Sequence, residues 1–415
     1  MYIKRTVEQA IIECGKSFPC VVVYGPRQVG KSTTINEIFG NIYKSISLDD
    51  IDDRLLAEQN PKLFLENYGY PLVIDEIQRV PKLLDEIKRI IDSKRQYWLK
   101  ENKPRELLYI LTGSNRFELQ ESIADSLAGR CGIIDMASFT FAEKKGYNSK
   151  AFTPDVLHFY EVENSNRKYM TRKETFEDIF MGGMPDICTG VAKREVYFKS
   201  YINTYIEKDI LKLINVSSEL QFRNFLSILA FHTAQELHYD KIANSVGVDV
   251  RTCKKWVSFL QMSGIIYLLQ PYMANASKRI IKVPKIYFMD TGLCAYLCKW
   301  QNAEMLSYCA MSDAFFETFV VSEIVKNLQS HNIESKDILF YYRDIDQKEV
   351  DLLYVTADSI YPIEIKKGIS PTKPTKNFNV LLKYNKNVNV GLVIDTCDRI
   401  RPINEKAYSI PVYLL

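Results

Sequence analysis

The stretch "PCVVVYGPRQVGKS" occupies residues 19–32 and determines how the first part of the chain folds. Its apolar half, 19–24, has the composition of a short buried strand. Its second half, "GPRQVGKS" (25–32), matches the pattern G-x-x-x-x-G-K-[ST] in full and opens a helix-like stretch. A loop in this position presents backbone N–H groups and a helix N-terminus to an anion. The sequence therefore predicts a phosphate-binding loop.

The residues of this loop have predicted roles toward a nucleotide. Gly25 and Gly30 allow the backbone to turn tightly and to approach the phosphates. Lys31 reaches the β- and γ-phosphates, and Ser32 is a ligand for Mg²⁺. The predicted nucleotide contacts within the loop are Gly25, Pro26, Arg27, Gln28, Val29, Gly30, Lys31, Ser32 and Thr33.

Polar side chains near later apolar runs complete the predicted site. "LVIDE" ends in Asp75, which would hold Mg²⁺ through water, and in Glu76, which would polarise the attacking water as a general base. "LTGSN" offers the polar residues Thr112, Ser114 and Asn115, one of which could sense the γ-phosphate, and Thr112 is the predicted nucleotide contact. "LAGR" offers Arg130, which could stabilise transition-state charge in the same chain or, through self-association, in a neighbouring subunit.

Short apolar runs alternate with longer amphipathic ones over residues 19–136. Strand, helix, strand repetition favours an α/β fold in which helices cover both faces of a parallel sheet. The predicted strands are 19–24, 41–48, 70–77, 106–114 and 131–136.

Together these stretches resemble a known family. "GPRQVGKST", "VIDEIQRVP", "LTGSN" and "SLAGR" are similar to the AAA-type ATPases of bacteria and archaea in which a C-terminal domain of unknown function, DUF4143, follows the ATPase. "GGMPDI" (182–187) and "PKIYFMDTGL" (284–293) extend the likeness. The resemblance implies ATP and Mg²⁺ as cofactors.

The composition limits the other classes of function. The 415 residues carry a net charge of +3, with 47% hydrophobic and 25% charged residues, which is typical of a globular chain of several domains. We expect a P-loop domain at 1–170, a helical and winged-helix-like region at 171–290, and a mixed α/β domain at 291–415. No apolar run has the length of a membrane span, and the nine cysteines form no CxxC pair, so we expect a cytoplasmic protein without a zinc site.

The middle of the chain is basic. Three short helical patterns followed by a strand, over residues 221–272, resemble a winged helix-turn-helix in which "DVRTCKKWVSFL" exposes Arg251, Lys254 and Lys255 to DNA. Eight basic residues face one acidic residue, Asp249, over residues 241–285. The basic residues are Lys241, Arg251, Lys254, Lys255, Lys278, Arg279, Lys282 and Lys285. A solvated helical module that packs on the ATPase is the alternative.

A hairpin near the C-terminus, "EVDLLYVTADSIYPIEIKKG" (349–368), carries acids and a lysine at alternating positions. A turn centred between Ala357 and Asp358 places Asp351 opposite Glu364, and Glu349 opposite Lys366. The opposite face would then carry Val350, Leu352, Ile363 and Ile365. Two carboxylates directly opposite each other favour a bound divalent cation, held by Asp351 and Glu364.

This hairpin resembles the PD-(D/E)XK nuclease core. The resemblance implies a catalytic set of Glu317 (with Glu323 as a substitute), Asp351, Glu364 and Lys366. Asp313 stands where relatives often have glycine. A charged rim without chemistry, or a nuclease fold that no longer cuts, remains the alternative.

The function predicted from the sequence is Mg²⁺-dependent ATP hydrolysis coupled to DNA binding or processing by the C-terminal domain. The alternative is a signalling or protein-interaction switch with a non-catalytic C-terminal binding module.

Overall fold

The computed structural model describes residues 2–114, 123, 125–165, 167–204, 219–273, 283–369, 373–384 and 386–415. The five strands predicted in the first part of the chain are confirmed, and they form a parallel sheet in the order β2-β3-β4-β1-β5. The strands are β1 (Cys20–Tyr24), β2 (Lys44–Ser47), β3 (Leu72–Asp75), β4 (Tyr109–Gly113) and β5 (Cys131–Asp135).

Helices cover both faces of this sheet, as predicted. Alternate residues of β1 enter different cores: Val22 packs on one face, and Val21 and Val23 pack on the other. The helices of this part are α1 (Val7–Ser17), α2 (Lys31–Phe39), α3 (Ile51–Gln59), α4 (Pro61–Tyr68), α5 (Leu83–Lys100), α6 (Phe141–Lys144) and α7 (Val156–Glu163).

The middle of the chain is mainly helical. Three helices come first: α8 (Arg172–Met181), α9 (Pro185–Cys188) and α10 (Arg194–Tyr201). Three more follow: α11 (Glu219–Phe231), α12 (Tyr239–Val246) and α13 (Val250–Met262). An antiparallel sheet in the order β6-β8-β7 packs with the latter group, and its strands are β6 (Gln235–Glu236), β7 (Ile266–Leu269) and β8 (Lys285–Phe288).

The last part combines helices with a mixed sheet. Its helices are α14 (Thr291–Leu297), α15 (Ala303–Tyr308) and the long α16 (Ser312–Ser330). The strands are β9 (Leu339–Arg343), β10 (Glu349–Val355), β11 (Ser359–Ile365), β12 (Asn387–Val388), β13 (Gly391–Asp395), β14 (Arg401–Asn404) and β15 (Ala407–Pro411). They are ordered β14-β15-β13-β11-β10-β9, with β12 beside β11.

Two details of this last part differ from the sequence prediction. The sequence predicts the order helix, three strands, helix and two strands for this part, with the second helix near 374–386, but the described residues there form only a 3₁₀ helix, Phe378–Lys383. The strand β14 was not predicted, because its residues are largely exposed and lack an apolar pattern.

One apolar core runs from the helical middle into the C-terminal sheet. It includes Phe176 on α8, Trp256 on α13, Phe319 on α16 and Leu392 on β13. Phe141, at the end of the first part, joins the same core, and its backbone N–H donates to Glu323 on α16 at 2.6 Å. The three parts of the chain are therefore packed together. None of the described helices is long and apolar enough to cross a membrane.

Candidate nucleotide site and acidic cluster

The phosphate loop follows β1, and its two glycines have different structural reasons. A Cβ on Gly25 would lie 2.0 Å from the carbonyl oxygen of Met136, so only glycine fits beside β5. Gly30 has φ +91°, a conformation that favours glycine, and it opens α2. Along the loop, Pro26 and Val29 are buried, while Ser32 and Thr33 are exposed. The side that an incoming nucleotide would meet is therefore polar.

Lys31 is buried and folds back onto its own loop. Its Nζ donates to the carbonyl oxygens of Gly25 and Pro26, both at 2.9 Å. Burial lowers the pKa of Lys31 to about 8 although Glu76 and Asp75 lie close enough to oppose that shift. The carbonyl oxygens of Gly25 and Pro26 thus occupy the acceptor positions around Lys31 Nζ that phosphate oxygens could take.

Ser32, Asp75 and Thr112 form one hydrogen-bonded group. Ser32 Oγ donates to Asp75 Oδ2 at 2.9 Å, and Thr112 Oγ1 donates to Asp75 Oδ1. The parallel register sets this arrangement, because β3 and β4 end at the same edge of the sheet as β1. Hydroxyl and carboxylate oxygens are the donors that Mg²⁺ prefers, so Ser32 and Asp75 fit a magnesium ion in their chemistry.

Glu76 is held by two side chains. Ser114 Oγ donates to Glu76 Oε2 at 3.0 Å, and Gln78 Nε2 donates to the same oxygen. The backbone of Glu76 has φ +55°, which is uncommon for a residue with a side chain. Gln78 was not identified from the sequence, because glutamine two residues after an acid is no recognised motif.

Arg5 is a second residue that the sequence did not reveal. Its guanidinium is buried and donates to the carbonyl oxygens of Val29 at 2.9 Å and Ala137 at 2.7 Å. It also lies 3.2 Å from Glu143. Arg5 therefore ties the phosphate loop to the segment after β5, and no local pattern near the N-terminus signals this contact.

The "GGMPDI" and "FMDTGL" stretches meet beside this site. Asp290 accepts from the backbone N–H of Gly183 at 2.8 Å and caps α14 by accepting from Leu293 N at 2.8 Å. Gly183 O in turn accepts from Phe139 N at 2.8 Å. Pro185 lies 4.0 Å from the position of a Cβ on Gly30. The two stretches are thus hydrogen-bonded to each other, and the first of them packs near the phosphate loop.

The C-terminal acidic cluster consists of Glu317, Glu349, Asp351 and Glu364. Lys366 Nζ lies 2.8 Å from Glu364 Oε1 and 3.2 Å from Asp351 Oδ2. Asp351 Oδ2 also accepts from the backbone N–H of Ile365 at 2.8 Å. Glu364 Oε2 is buried without a hydrogen-bond partner. Burial first, and then the Asp351 charge, raise the pKa of Glu364 to about 8.

Family comparisons agree with this geometry. A model of the AAA domain matches residues 17–145, which include the phosphate loop, Asp75, Glu76 and Thr112. A model of DUF4143, a domain of unknown function, matches residues 312–415. The chain joins an AAA domain to a C-terminal DUF4143 domain. Between them, a model of DUF8612, another domain of unknown function, matches residues 172–304. With its complete phosphate loop and acidic strand end, the AAA domain is a P-loop ATPase.

Relatives cover most of the chain. Uncharacterized protein Rv2008c of Mycobacterium tuberculosis and uncharacterized protein Mb2031c of Mycobacterium bovis are each 25% identical over 359 residues, which is 85% of this chain and 71% of each relative. Among solved structures, the Walker-type ATPase paby2304 of Pyrococcus abyssi matches 71% of this chain and 96% of its own, with 15% identity and a TM-score of 0.41. The ORC2 protein of Aeropyrum pernix matches 71% and 90%, with 9% identity and a TM-score of 0.33.

The position of Arg130 corrects one prediction for the AAA domain. Arg130 immediately precedes β5, whose first residue, Cys131, pairs with Cys20 at the start of β1. The phosphate loop follows the other end of β1, roughly 16 Å away along the strand direction. Arg130 instead forms a two-bond ion pair with Asp92, at 2.7 and 2.9 Å. A role at the phosphates of the same chain is therefore excluded, and a role in a neighbouring subunit stays a prediction.

The DUF4143 hairpin confirms the predicted register but not all of its faces. Leu352 pairs with Ile363 and Leu353 with Pro362, as the predicted turn requires. A bulge in β10 between Val350 and Leu353 shifts its pairing with β9. Val350 consequently packs in a different core from Leu352, so their predicted common face is wrong.

Glu349 does not meet Lys366, contrary to the prediction. It lies opposite Arg343 and binds Lys285 Nζ at 2.5 Å. Glu317, predicted as a catalytic carboxylate, also binds Lys285 Nζ, at 2.9 Å. Its proposed substitute, Glu323, pairs with Lys326 in the core.

The basic residues of the middle region divide into three sets. Lys241, Arg251, Lys254 and Lys255 are exposed. Lys285 is only 3% exposed, so counting it as a surface cation was wrong. Lys278, Arg279 and Lys282 lie outside the described residues, as does Asn115 of "LTGSN".

Proposed function

We propose that this ATPase hydrolyses ATP with Mg²⁺ and that its nucleotide state controls DNA binding by α13. The observation that carries the proposal is a contact between the two regions. Gly264, which ends the turn after α13, would place a Cβ 3.1 Å from Cγ of Pro26 in the phosphate loop. The helix with the exposed basic residues thus ends against the loop that would sense phosphate.

The chain's own residues support the hydrolysis step. ATP and Mg²⁺, when bound, supply the phosphoanhydride bond and the charge that orients its oxygens. Lys31 would exchange the carbonyl oxygens of Gly25 and Pro26 for phosphate oxygens. Glu76, oriented by Ser114 and Gln78, would accept a proton from the attacking water. Asp75 would keep Ser32 and Thr112 in place around the ion.

The same exchange gives a reason for coupling to α13. When Lys31 leaves the carbonyl oxygen of Pro26, that peptide loses a charge-assisted hydrogen bond. The Pro26 ring packs directly on Gly264, and Gln261 and Ser263 border the same cavity of about 80 Å³. A shift of Pro26 would therefore act on the turn that ends α13.

The arrangement of the middle region supports contact with DNA. Its order of three helices and three antiparallel strands agrees with a winged helix-turn-helix, with α13 as the recognition helix. Arg251, Lys254 and Lys255 lie exposed in the first half of α13, and Asp249 caps that helix by accepting from Thr252 N at 2.8 Å. Such cations bind phosphates and release counterions.

A salt titration of duplex binding tests the DNA part of the proposal. Lys254→Glu/Lys255→Glu should weaken duplex binding and reduce the salt dependence by about two phosphate contacts. Lys16→Glu/Lys62→Glu, two charge reversals on the exposed surfaces of α1 and α4, is the matched control and should change neither. Equal binding by the α13 variant and the control would contradict the assignment.

Phosphate release tests the ATPase part. Wild-type protein should release phosphate from ATP only with Mg²⁺, and Lys31→Ala should lose both nucleotide binding and hydrolysis. A protein that releases no phosphate, together with a Lys31→Ala variant that binds ATP as tightly as wild type, would overturn the assigned chemistry.

The DUF4143 cluster supports a second, nuclease-like candidate function. The buried Glu364 Oε2 lacks a hydrogen-bond partner, and Asp351 shares Lys366 with Glu364, so the pair has oxygen donors suited to a divalent cation. Lys366 would then orient water or stabilise the charge that develops on a cut phosphodiester, with Glu317 nearby. Cleavage of plasmid DNA with Mn²⁺ that Asp351→Ala abolishes would support this function. Duplex binding without any cleavage would leave DUF4143 as a binding module.

A further inference from the structure

A lysine from outside the DUF4143 match enters its acidic cluster. Lys285 lies on β8, in the part of the chain that DUF8612 matches. It is 3% exposed, and its Nζ lies 2.9 Å from Glu317 Oε1 and 2.5 Å from Glu349 Oε1. Burying an ammonium group costs free energy unless the group is paired, so the fold requires these contacts of Lys285 with Glu317 and Glu349.

The surroundings of Lys285 fix it in place. Tyr287, two residues later on β8, donates its hydroxyl to the same Glu317 oxygen at 2.7 Å. Arg343 lies 3.7 Å from the other Glu349 oxygen, and it also pairs with Glu236 at 3.4 Å. Glu317 and Glu349 are thus neutralised by groups that mostly come from outside the hairpin.

The cluster is consequently divided between two lysines. Lys285 serves Glu317 and Glu349, while Lys366 serves Asp351 and Glu364. In the described ranges, no group of three or more His, Cys, Asp or Glu side chains is arranged to hold a metal ion. Glu364 Oε2, which is buried without a hydrogen-bond partner, is an oxygen of the cluster that could accept a further cation.

We propose that Lys285 acts as a resident cation that keeps Glu317 and Glu349 from coordinating metal in the DUF4143 cluster. The inference rests on the proposed cation site at Asp351 and Glu364. With Lys285 inserted, that site binds a divalent ion weakly, because the other two carboxylates of the cluster, Glu317 and Glu349, are already paired with Lys285. Removal of the Lys285 charge would leave Glu317 and Glu349 available to the same ion.

The position of β8 connects this device to the ATPase. Lys285 pairs in register with Leu269 at the end of β7, and β7 begins directly after the Gly264 turn. Gly264 packs on Pro26 of the phosphate loop. The segment that carries Lys285 is therefore paired to the segment that touches the nucleotide site.

Mn²⁺ titration by calorimetry, with full-length protein and no DNA, tests the role of Lys285. Lys285→Met should bind Mn²⁺ about tenfold more tightly than wild type, because the competing cation is gone. Lys285→Arg keeps the charge and should bind as weakly as wild type. Lys383→Met is the control, since Lys383, at the end of the 3₁₀ helix, donates to the hydroxyl of Tyr342 on β9 at 2.7 Å, and it should not change the affinity.

Unfolding midpoints provide the second measurement, because Lys285→Met leaves two carboxylates without their cation. Mn²⁺ should raise the midpoint of Lys285→Met and leave that of wild type nearly unchanged. If Lys285→Met does not fold even with Mn²⁺, Lys285→Gln takes its place, with the same expectation. Equal Mn²⁺ affinity in wild type and the neutral variant overturns the role of Lys285 but leaves the cation site standing. Binding to neither protein overturns both.

Discussion

The contact between Gly264 and Pro26 yields the sharpest prediction. Gly264 has φ +69°, so alanine there costs roughly 1–2 kcal/mol of backbone strain. The new Cβ would also lie 3.1 and 3.2 Å from Cγ and Cδ of Pro26, so the phosphate loop must give way by a few tenths of an ångström. If about 1 kcal/mol of this strain falls on the loop, the Kd for ATP rises about fivefold.

The chain contains a matched control for this change. Gly247 ends α12 with φ +76°, and a Cβ there would meet only the flexible end of Gln221, at 3.9 Å. Gly247→Ala should therefore lose a similar free energy of unfolding, measured by urea denaturation, and keep the ATP affinity of wild type. Gly264→Ala should lose free energy of unfolding and should also bind ATP more weakly, as measured by equilibrium titration. Equal ATP affinities in the two variants would refute a mechanical link between the loop and α13.

Three further predictions concern single side chains. Glu76→Gln should retain ATP binding but lose about a hundredfold or more in phosphate release, and an unchanged rate would remove Glu76 as the base. Burial alone would raise the pKa of Asp178, but the charges and hydrogen bonds of Lys144 and Lys145 together outweigh burial and hold that pKa below its usual range. Asp178→Asn should therefore cost about 3 kcal/mol of unfolding free energy at pH 7 in urea denaturation. This difference should shrink only below about pH 4, where the wild-type carboxylate protonates, and a difference that is constant with pH would count against the pair. Arg130→Ala should cost at most about 1 kcal/mol, because its pair with Asp92 is partly exposed, and should leave hydrolysis by dilute protein unchanged. A loss of rate at high dilution would contradict the distance from the phosphates.

The sequence predicted the parts of the fold that depend on regular periodicity. The strands of the AAA domain are continuous apolar runs because both of their faces are buried, and β1 shows this along its whole length. The hairpin register followed from a short turn between alternating strands, and Asp351, Glu364 and Lys366 meet as predicted. The position of Arg130 could also have been predicted: it precedes a parallel strand, so it lies at the edge of the sheet opposite the phosphate loop.

The remaining features depend on irregular or distant contacts. The prediction for Glu349 assumed that side chains alternate between the two faces of β10. The bulge breaks this alternation, and no residue type in "EVDLL" indicates a bulge. Lys285 was predicted to be a surface cation because other basic residues surround it in the sequence. In the structure it is buried and pairs with Glu317, which lies 32 residues later in the chain. In the sequence, Gly264 has the pattern of a glycine that ends a helix, and nothing in that pattern indicates its contact with Pro26.

The most direct test of the central claim is a pair of reciprocal binding measurements. Duplex DNA affinity is measured by fluorescence anisotropy with and without a non-hydrolysable ATP analogue, and affinity for the analogue is measured with and without duplex. If nucleotide state controls α13, both affinities must change by the same factor, since coupling between two sites is reciprocal. A duplex affinity that is identical with and without the analogue would contradict the account.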